Sequence, residues 1–192
     1  MSGLRCLDWT ADMRKTLDQT WQYLESMGQE MPRLTDGAPH LPSRMPNFDD
    51  EDAVNATFFR SGWEGTDLSE LTLPRTYFGR SSFQDVSFRG SELVESRMCW
   101  NDFIRCDFSE ADLSRCDMRA VRFEACIFRG ADLSGADLRR SSFDACILEG
   151  AKLAGAIAHR HSAAEDLVPL LTKAQREEVR WVMELGDEPP GG

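Results

Sequence analysis

With 192 residues, 41% of them hydrophobic and 29% charged, the chain can build one or two small domains around a core. Its formal charge of −11 argues against bulk attraction to nucleic acid or anionic lipid. No stretch approaches the length of a membrane span, and the N-terminus lacks the apolar core of an export signal, so a cytoplasmic protein is expected.

In chain order, residues 8–28 predict a helix. Asp8 or Thr10 caps it, Met13, Leu17, Trp21 and Leu24 recur every three to four residues, and Gly28 suits its exit. Pro32, Pro39, Pro42 and Pro46, followed by the acidic run Asp49-Asp50-Glu51-Asp52, make 29–55 an extended connector or a strap lying on the next domain. Residues 1–55 form the first of three segments. The second, 56–155, is a repeat. In the third, 156–192, Ser162-Ala-Ala-Glu165 is a capping box opening a short helix that Pro169 shortens or kinks. Thr172-Lys-Ala-Gln175 is a second box, opening a helix through Val179, Val182 and Met183 to Gly186, with a disordered tail after it.

The repeat has a period of five. Every fifth residue from Phe58 to Leu153 is Phe, Leu, Met or Trp, and this lane holds nine of the chain's eleven phenylalanines. Two residues earlier runs a lane of small or medium side chains, Ala56 to Ala151, from which only Leu71 departs. The other three positions carry nearly all the charge. Such a period fits neither an α-helix nor a simple strand, but it fits a chain that makes a short extended piece, turns and repeats. A longer period of twenty is visible as well: Leu73, Leu93, Leu113, Leu133 and Leu153 are all leucine, and Trp63, Phe83, Phe103, Phe123 and Phe143 are all aromatic.

Ala111-Asp-Leu-Ser-Arg115, Ala131-Asp-Leu-Ser-Gly135 and Ala136-Asp-Leu-Arg-Arg140 resemble the unit of the pentapeptide-repeat family, Ala-(Asp/Asn)-Leu-x-x. The resemblance covers about half of the chain. It implies a mainly β fold, a right-handed quadrilateral β-helix of about five coils, four units to the coil, with short helical segments at both ends. A rung spacing of roughly 4.8 Å makes that a rod about 24 Å long. Solenoid ends expose unpaired backbone, so the C-terminal helices read as a cap. The N-terminal helix either caps the other end or pairs with another chain, which leaves a homodimer through a terminal segment open.

Six cysteines, at 6, 99, 106, 116, 126 and 146, show no Cys-x-x-Cys pair or zinc spacing and read as reduced thiols, with Cys106, Cys126 and Cys146 forming an interior ladder. His40, His159 and His161 lack ligand spacing, the last two reading as exposed loop residues. There is no phosphate loop and no nucleophile–base arrangement, so neither cofactor nor metal is expected, and no catalysis.

One outer face stands apart. Around Phe58, Phe78, Met98, Met118 and Leu138 the outward residues include Arg60, Arg80, Arg97, Arg119, Arg139 and Arg140, with Phe59, Tyr77 and Trp100, against only Asp117 and Asp137. Arginine among exposed aromatics is the composition of an interaction surface. These nine residues are the candidates for binding a protein partner, with the chain's own strap Asp49–Asp52 or its N-terminal helix as the rival occupant and nucleic acid the least favoured. The expected function is a non-enzymatic interaction module that neutralises or escorts another protein. An immunity protein against a bacterial toxin or an enzyme inhibitor, as the family resemblance implies, is one form of it. The alternatives are a gyrase-binding DNA mimic, like the family's quinolone-resistance members, and a structural or assembly scaffold.

Overall fold

The computed structural model describes residues 17–26, 57–59, 62–160, 163 and 165–183. It shows helix α1 (Leu17–Ser26), eight short strands in the repeat, helix α2 (Lys173–Glu178) and a last strand β9 (Arg180–Val182). The strands are β1 (Thr57–Phe59), β2 (Gly62–Glu64), β3 (Tyr77–Gly79), β4 (Ser82–Gln84), β5 (Asp102–Ile104), β6 (Arg122–Glu124), β7 (Ser142–Asp144) and β8 (Ile157–His159). No helix among the described residues is long and apolar enough to cross a membrane.

Every pairing within the repeat is parallel with a register of twenty. Trp63, Phe83, Phe103, Phe123 and Phe143 face one another through β2-β4-β5-β6-β7. Two other sides are held by single bridges, Asp67–Ser87–Asp107–Ile127–Ile147 and Thr72–Glu92–Asp112–Asp132–Lys152. The fourth side begins as β1 on β3 and continues Tyr77–Arg97–Asp117–Asp137–Ile157. This is the expected four-sided β-solenoid, with about six turns where about five were expected. The unit Ala156–Arg160 continues the register, its small Ala158 buried in the bore, and β9 lies parallel on β8 as a further rung.

The bore is solid. Eight phenylalanines are fully buried. Phe83, Phe103 and Phe123 stack with centroids 4.9 and 5.4 Å apart, and Phe88, Phe108 and Phe128 with centroids 4.9 and 5.1 Å apart. The two columns meet edge to face, as the ring quadrupole favours.

The five-residue period has a backbone cause. At every fifth position from Gly65 to Gly155 the chain is left-handed, and thirteen of these nineteen corners are not glycine. A side chain there costs roughly 1 kcal/mol. The conformation is held because the corner N–H donates to a carbonyl nineteen residues on, as in Arg105 to Glu124 and Arg115 to Ser134, both 2.8 Å. The aspartates that follow the small lane have a local task. Asp112, Asp132 and Asp107 accept from the N–H two residues later, in Ser114, Ser134 and Ser109, closing an Asx turn on an amide the ladder leaves over. The small lane also bonds. Ser91 donates to the Leu68 carbonyl and accepts from the Leu71 N–H, and the thiols of Cys106, Cys126 and Cys146 donate to Phe83, Phe103 and Phe123 carbonyls.

Both ends are closed by side chains standing in for a missing rung. At the N-terminal end, Tyr23 of α1 donates to the Asp67 carbonyl at 2.6 Å and the Thr20 hydroxyl accepts from the Thr72 N–H at 3.1 Å. Leu24 is buried in the core that contains Leu71, the large residue of the small lane. Helix α1 is thus a cap; residues 8–16 and 27–28 of the predicted helix, and the connector 29–55, lie outside the described residues. At the other end, Asp166 and Glu178 carboxylates accept from the Phe143 and Leu153 N–H groups, and Gln175 donates to the Leu148 and Ala151 carbonyls.

The predicted C-terminal helix is corrected. The Thr172–Gln175 capping box forms, but α2 ends at Glu178 and Val179–Val182 turns extended. The edge of β8 offers unpaired backbone groups, and Arg180 N–H to Ala156 at 2.7 Å outweighs the helical spacing of Val179 and Val182. The preceding segment holds a 3-10 turn, Val168–Leu170, around Pro169, and Ser162 lies outside the described residues. His159, expected in a loop, is a residue of β8, while His161 lies outside the described residues.

Candidate partner-binding face and corner

The nine candidates fall into different settings. Arg60 lies outside the described residues, and Phe59 is described only as the end of β1. Tyr77, Arg97, Asp117 and Asp137 form one column up the face, one residue before the bore lane. Tyr77 is half-buried, its ring over Gly79, where a Cβ would come within 2.3 Å of the phenol. Burial pushes its hydroxyl pKa up.

The middle of the face is an ion-pair zipper. Arg119 grips both oxygens of Asp117 at 2.8 Å and reaches Asp137 at 3.8 Å. Arg139 holds Asp137 through Nη2 at 2.7 Å, and Arg97 lies 3.8 Å from Asp117. Burial works against the Asp117 charge, yet the Arg119 and Cys99 hydrogen bonds outweigh it and keep the carboxyl below its usual range. The Arg119 guanidinium is held protonated in turn by Asp117. Burial pushes the neighbouring Cys99 thiol up to about 12, so it is not a thiolate at neutral pH. Three of the arginines assigned to this face therefore spend their charge on its two aspartates.

The remaining candidates share a different line. Arg80, Trp100 and Arg140 are left-handed corner residues, one position after the bond-forming Arg119 and Arg139 lane and separated from one another by multiples of twenty. All are exposed, Trp100 at 67%, the largest value among the exposed bulky hydrophobic residues described. Arg80 and Arg140 make no ion pair among the described residues, in contrast to Arg97, Arg119 and Arg139. Two further positions complete the column: Ala120, and Arg160, which is exposed. Arg160 was missed because Ala158 breaks the bulky lane and hides its unit; the twenty-residue spacing from Arg140 was the available signal.

Elsewhere charge is matched across rungs. Arg75 and Arg115 flank Glu95 at 2.8 and 2.9 Å, and Arg105–Asp85, Arg122–Asp102 and Lys152–Asp132 pair at 2.7, 2.9 and 3.2 Å. Among the described residues no group of His, Cys, Asp and Glu is placed to hold a metal ion.

A parallel four-sided coil on a five-residue unit, with left-handed corners and a bulky bore lane, defines the class of pentapeptide-repeat solenoids. The profile of the pentapeptide-repeat family, Pentapeptide repeats, matches this solenoid in eight copies over residues 81–119 and 116–155. No curated protein sequence matches significantly. Among solved structures, a pentapeptide-repeat protein of the Arabidopsis thaliana thylakoid lumen is similar at a TM-score of 0.54 and 22% identity, over 62% of this chain and 86% of that one. HetL of Nostoc sp. strain PCC 7120, involved in heterocyst differentiation regulation, gives 0.31 at 18% identity over 54% and 74%. QnrB1, a plasmid-mediated fluoroquinolone resistance protein, gives 0.33 at 15% over 54% and 72%.

Proposed function

We propose that the protein is a non-enzymatic binding module that holds another protein, neutralising or escorting it in the manner of an immunity protein or inhibitor. One observation carries the reading: in a rod whose phenylalanines fill the bore, Trp100 stands 67% exposed between arginines that make no ion pair among the described residues. Leaving an indole in water forgoes roughly 2 kcal/mol of burial, so a surface role compensates for its exposure. A stiff repeat surface suits binding rather than turnover. The five described cysteines are all free thiols, which supports a reducing, cytoplasmic setting. The gyrase-binding DNA mimic is the weaker reading, because a phosphate imitation needs a stripe of unpaired carboxylates, and Glu95, Asp85, Asp102 and Asp132 are each matched by a base across rungs.

The test is co-purification of the full chain from the host at about 0.15 M salt, a Debye length of about 8 Å. A single protein retained in near-stoichiometric amount is the expected result. Recovery of the chain alone, or only of copies of itself, would overturn the reading.

A further inference from the structure

We infer that the contact is made by the corner rather than the face, and that the corner reads an acidic strip with an apolar notch on a partner protein; this rests on the binding-module reading. The line is Arg80, Trp100, Ala120, Arg140 and Arg160. Consecutive rungs are about 4.8 Å apart, so Arg80 lies about 5 Å to one side of Trp100 while Arg140 and Arg160 lie about 10 and 14 Å to the other. Trp100 sits at a left-handed corner and is 67% exposed, and its amide is tied to the Arg119 carbonyl at 3.3 Å. The indole is therefore presented from a fixed backbone, with only the Ala120 methyl on the rung after it. That shape fits insertion of the ring into a shallow apolar notch.

The chemistry of the partner follows from charge. The three arginines make no ion pairs among the described residues, whereas those on the face are already neutralised by Asp117 and Asp137. Guanidinium groups in a row, with none of the carboxylates of the face between them, call for carboxylates in a row. Nucleic acid fits less well. Three arginines neutralise few phosphates, and the chain around them carries a net −11.

The experiment takes the full chain with Arg80→Ala, Trp100→Ala and Arg140→Ala together, beside a control lacking Arg89, Arg105 and Arg129 by the same replacement, through the co-purification above. The ridge variant should lose about 100-fold in partner affinity and the control less than about 3-fold. Separately, Arg80→Lys/Arg140→Lys keeps the charge and supplies amines. Carbodiimide should then join residue 80 or 140 to an Asp or Glu of the retained protein, located by mass spectrometry. Equal loss in both variants, or cross-links from other surfaces only, would place the contact elsewhere and sink the ridge while sparing the binding reading. Retention abolished by nuclease would overturn the ridge in favour of nucleic acid. A lower melting temperature in the ridge variant, with faster cleavage between residues 27 and 56, would mean that the chain's own connector occupies it. Recovery of no partner by the wild type would remove both readings.

Discussion

The phenol of Tyr23 donates to the main-chain carbonyl of Asp67 at 2.6 Å, where a preceding rung of the solenoid would have placed an amide. Thr20 repeats the substitution from the other side by accepting from the Thr72 N–H. A buried or half-buried backbone group left without a partner costs about 1–3 kcal/mol. Tyr23→Phe with Thr20→Val should therefore destabilise the first coil by about 2 kcal/mol. Native-state hydrogen exchange should accelerate for residues 62–75 and stay unchanged near 120–150. Uniform acceleration along the rod would show that the cap governs global stability instead.

The central bore position is the most sensitive to truncation. Phe103 is stacked between Phe83 and Phe123 and touches Phe108 edge to face, so Phe103→Ala should cost about 3–5 kcal/mol in urea unfolding. Asp112→Ala, in an outward lane, should cost about 1 kcal/mol, because the carboxylate accepts from the Ser114 N–H at 3.0 Å. If the two substitutions cost the same, the division into inward and outward lanes fails.

Corner strain gives a prediction of opposite sign. Ala120 holds φ at 56° and is not a glycine, so Ala120→Gly should raise stability by a few tenths to about 1 kcal/mol. Gly135→Ala should lower it by at least as much, since φ is 69° and the new Cβ would lie 3.3 Å from Cγ of Arg115. Thermal unfolding of both variants checks the pair. A loss at Ala120→Gly would mean that the backbone entropy of the unfolded chain outweighs the relief of strain.

What the sequence made legible follows from where each signal resides. Bore and small lanes are written in residue type at fixed spacing, so the solenoid, its four sides and its aromatic column could be read before any coordinates. The last unit could not, because its bore position is Ala158, a single methyl in place of a bulky side chain. Arg180–Val182 was read as helix because local spacing knows nothing of the open β8 edge that recruits it. The charge excess of the face was correctly counted, but counting does not reveal that Arg119 and Arg139 each fold back two residues onto Asp117 and Asp137. Nor does it separate the corner line of Arg80, Trp100 and Arg140, which holds no carboxylate, from the corner lines on which Arg75, Glu95 and Arg115, or Asp85 and Arg105, pair across rungs.

Acid should loosen the rod through Glu95, whose carboxylate lies between Arg75 and Arg115 on the two neighbouring rungs. The hydrogen bonds from these guanidiniums hold its pKa below the ordinary 4.5. A carboxyl whose pKa is lower folded than unfolded contributes stability above the unfolded value, and that contribution fades as pH falls through the folded value. Because the site is about one-third exposed, solvent screening keeps the contribution to about 0.5–1 kcal/mol. Glu95→Gln should accordingly be less stable than wild type by that amount at pH 7. The gap should narrow between pH 7 and pH 3, as protons begin to bind below the unfolded value of 4.5 and the ion-pair contribution fades. Urea midpoints at the two pH values test this. A gap that persists unchanged at pH 3 would assign Glu95 a packing role and remove the ion-pair account of the ladder.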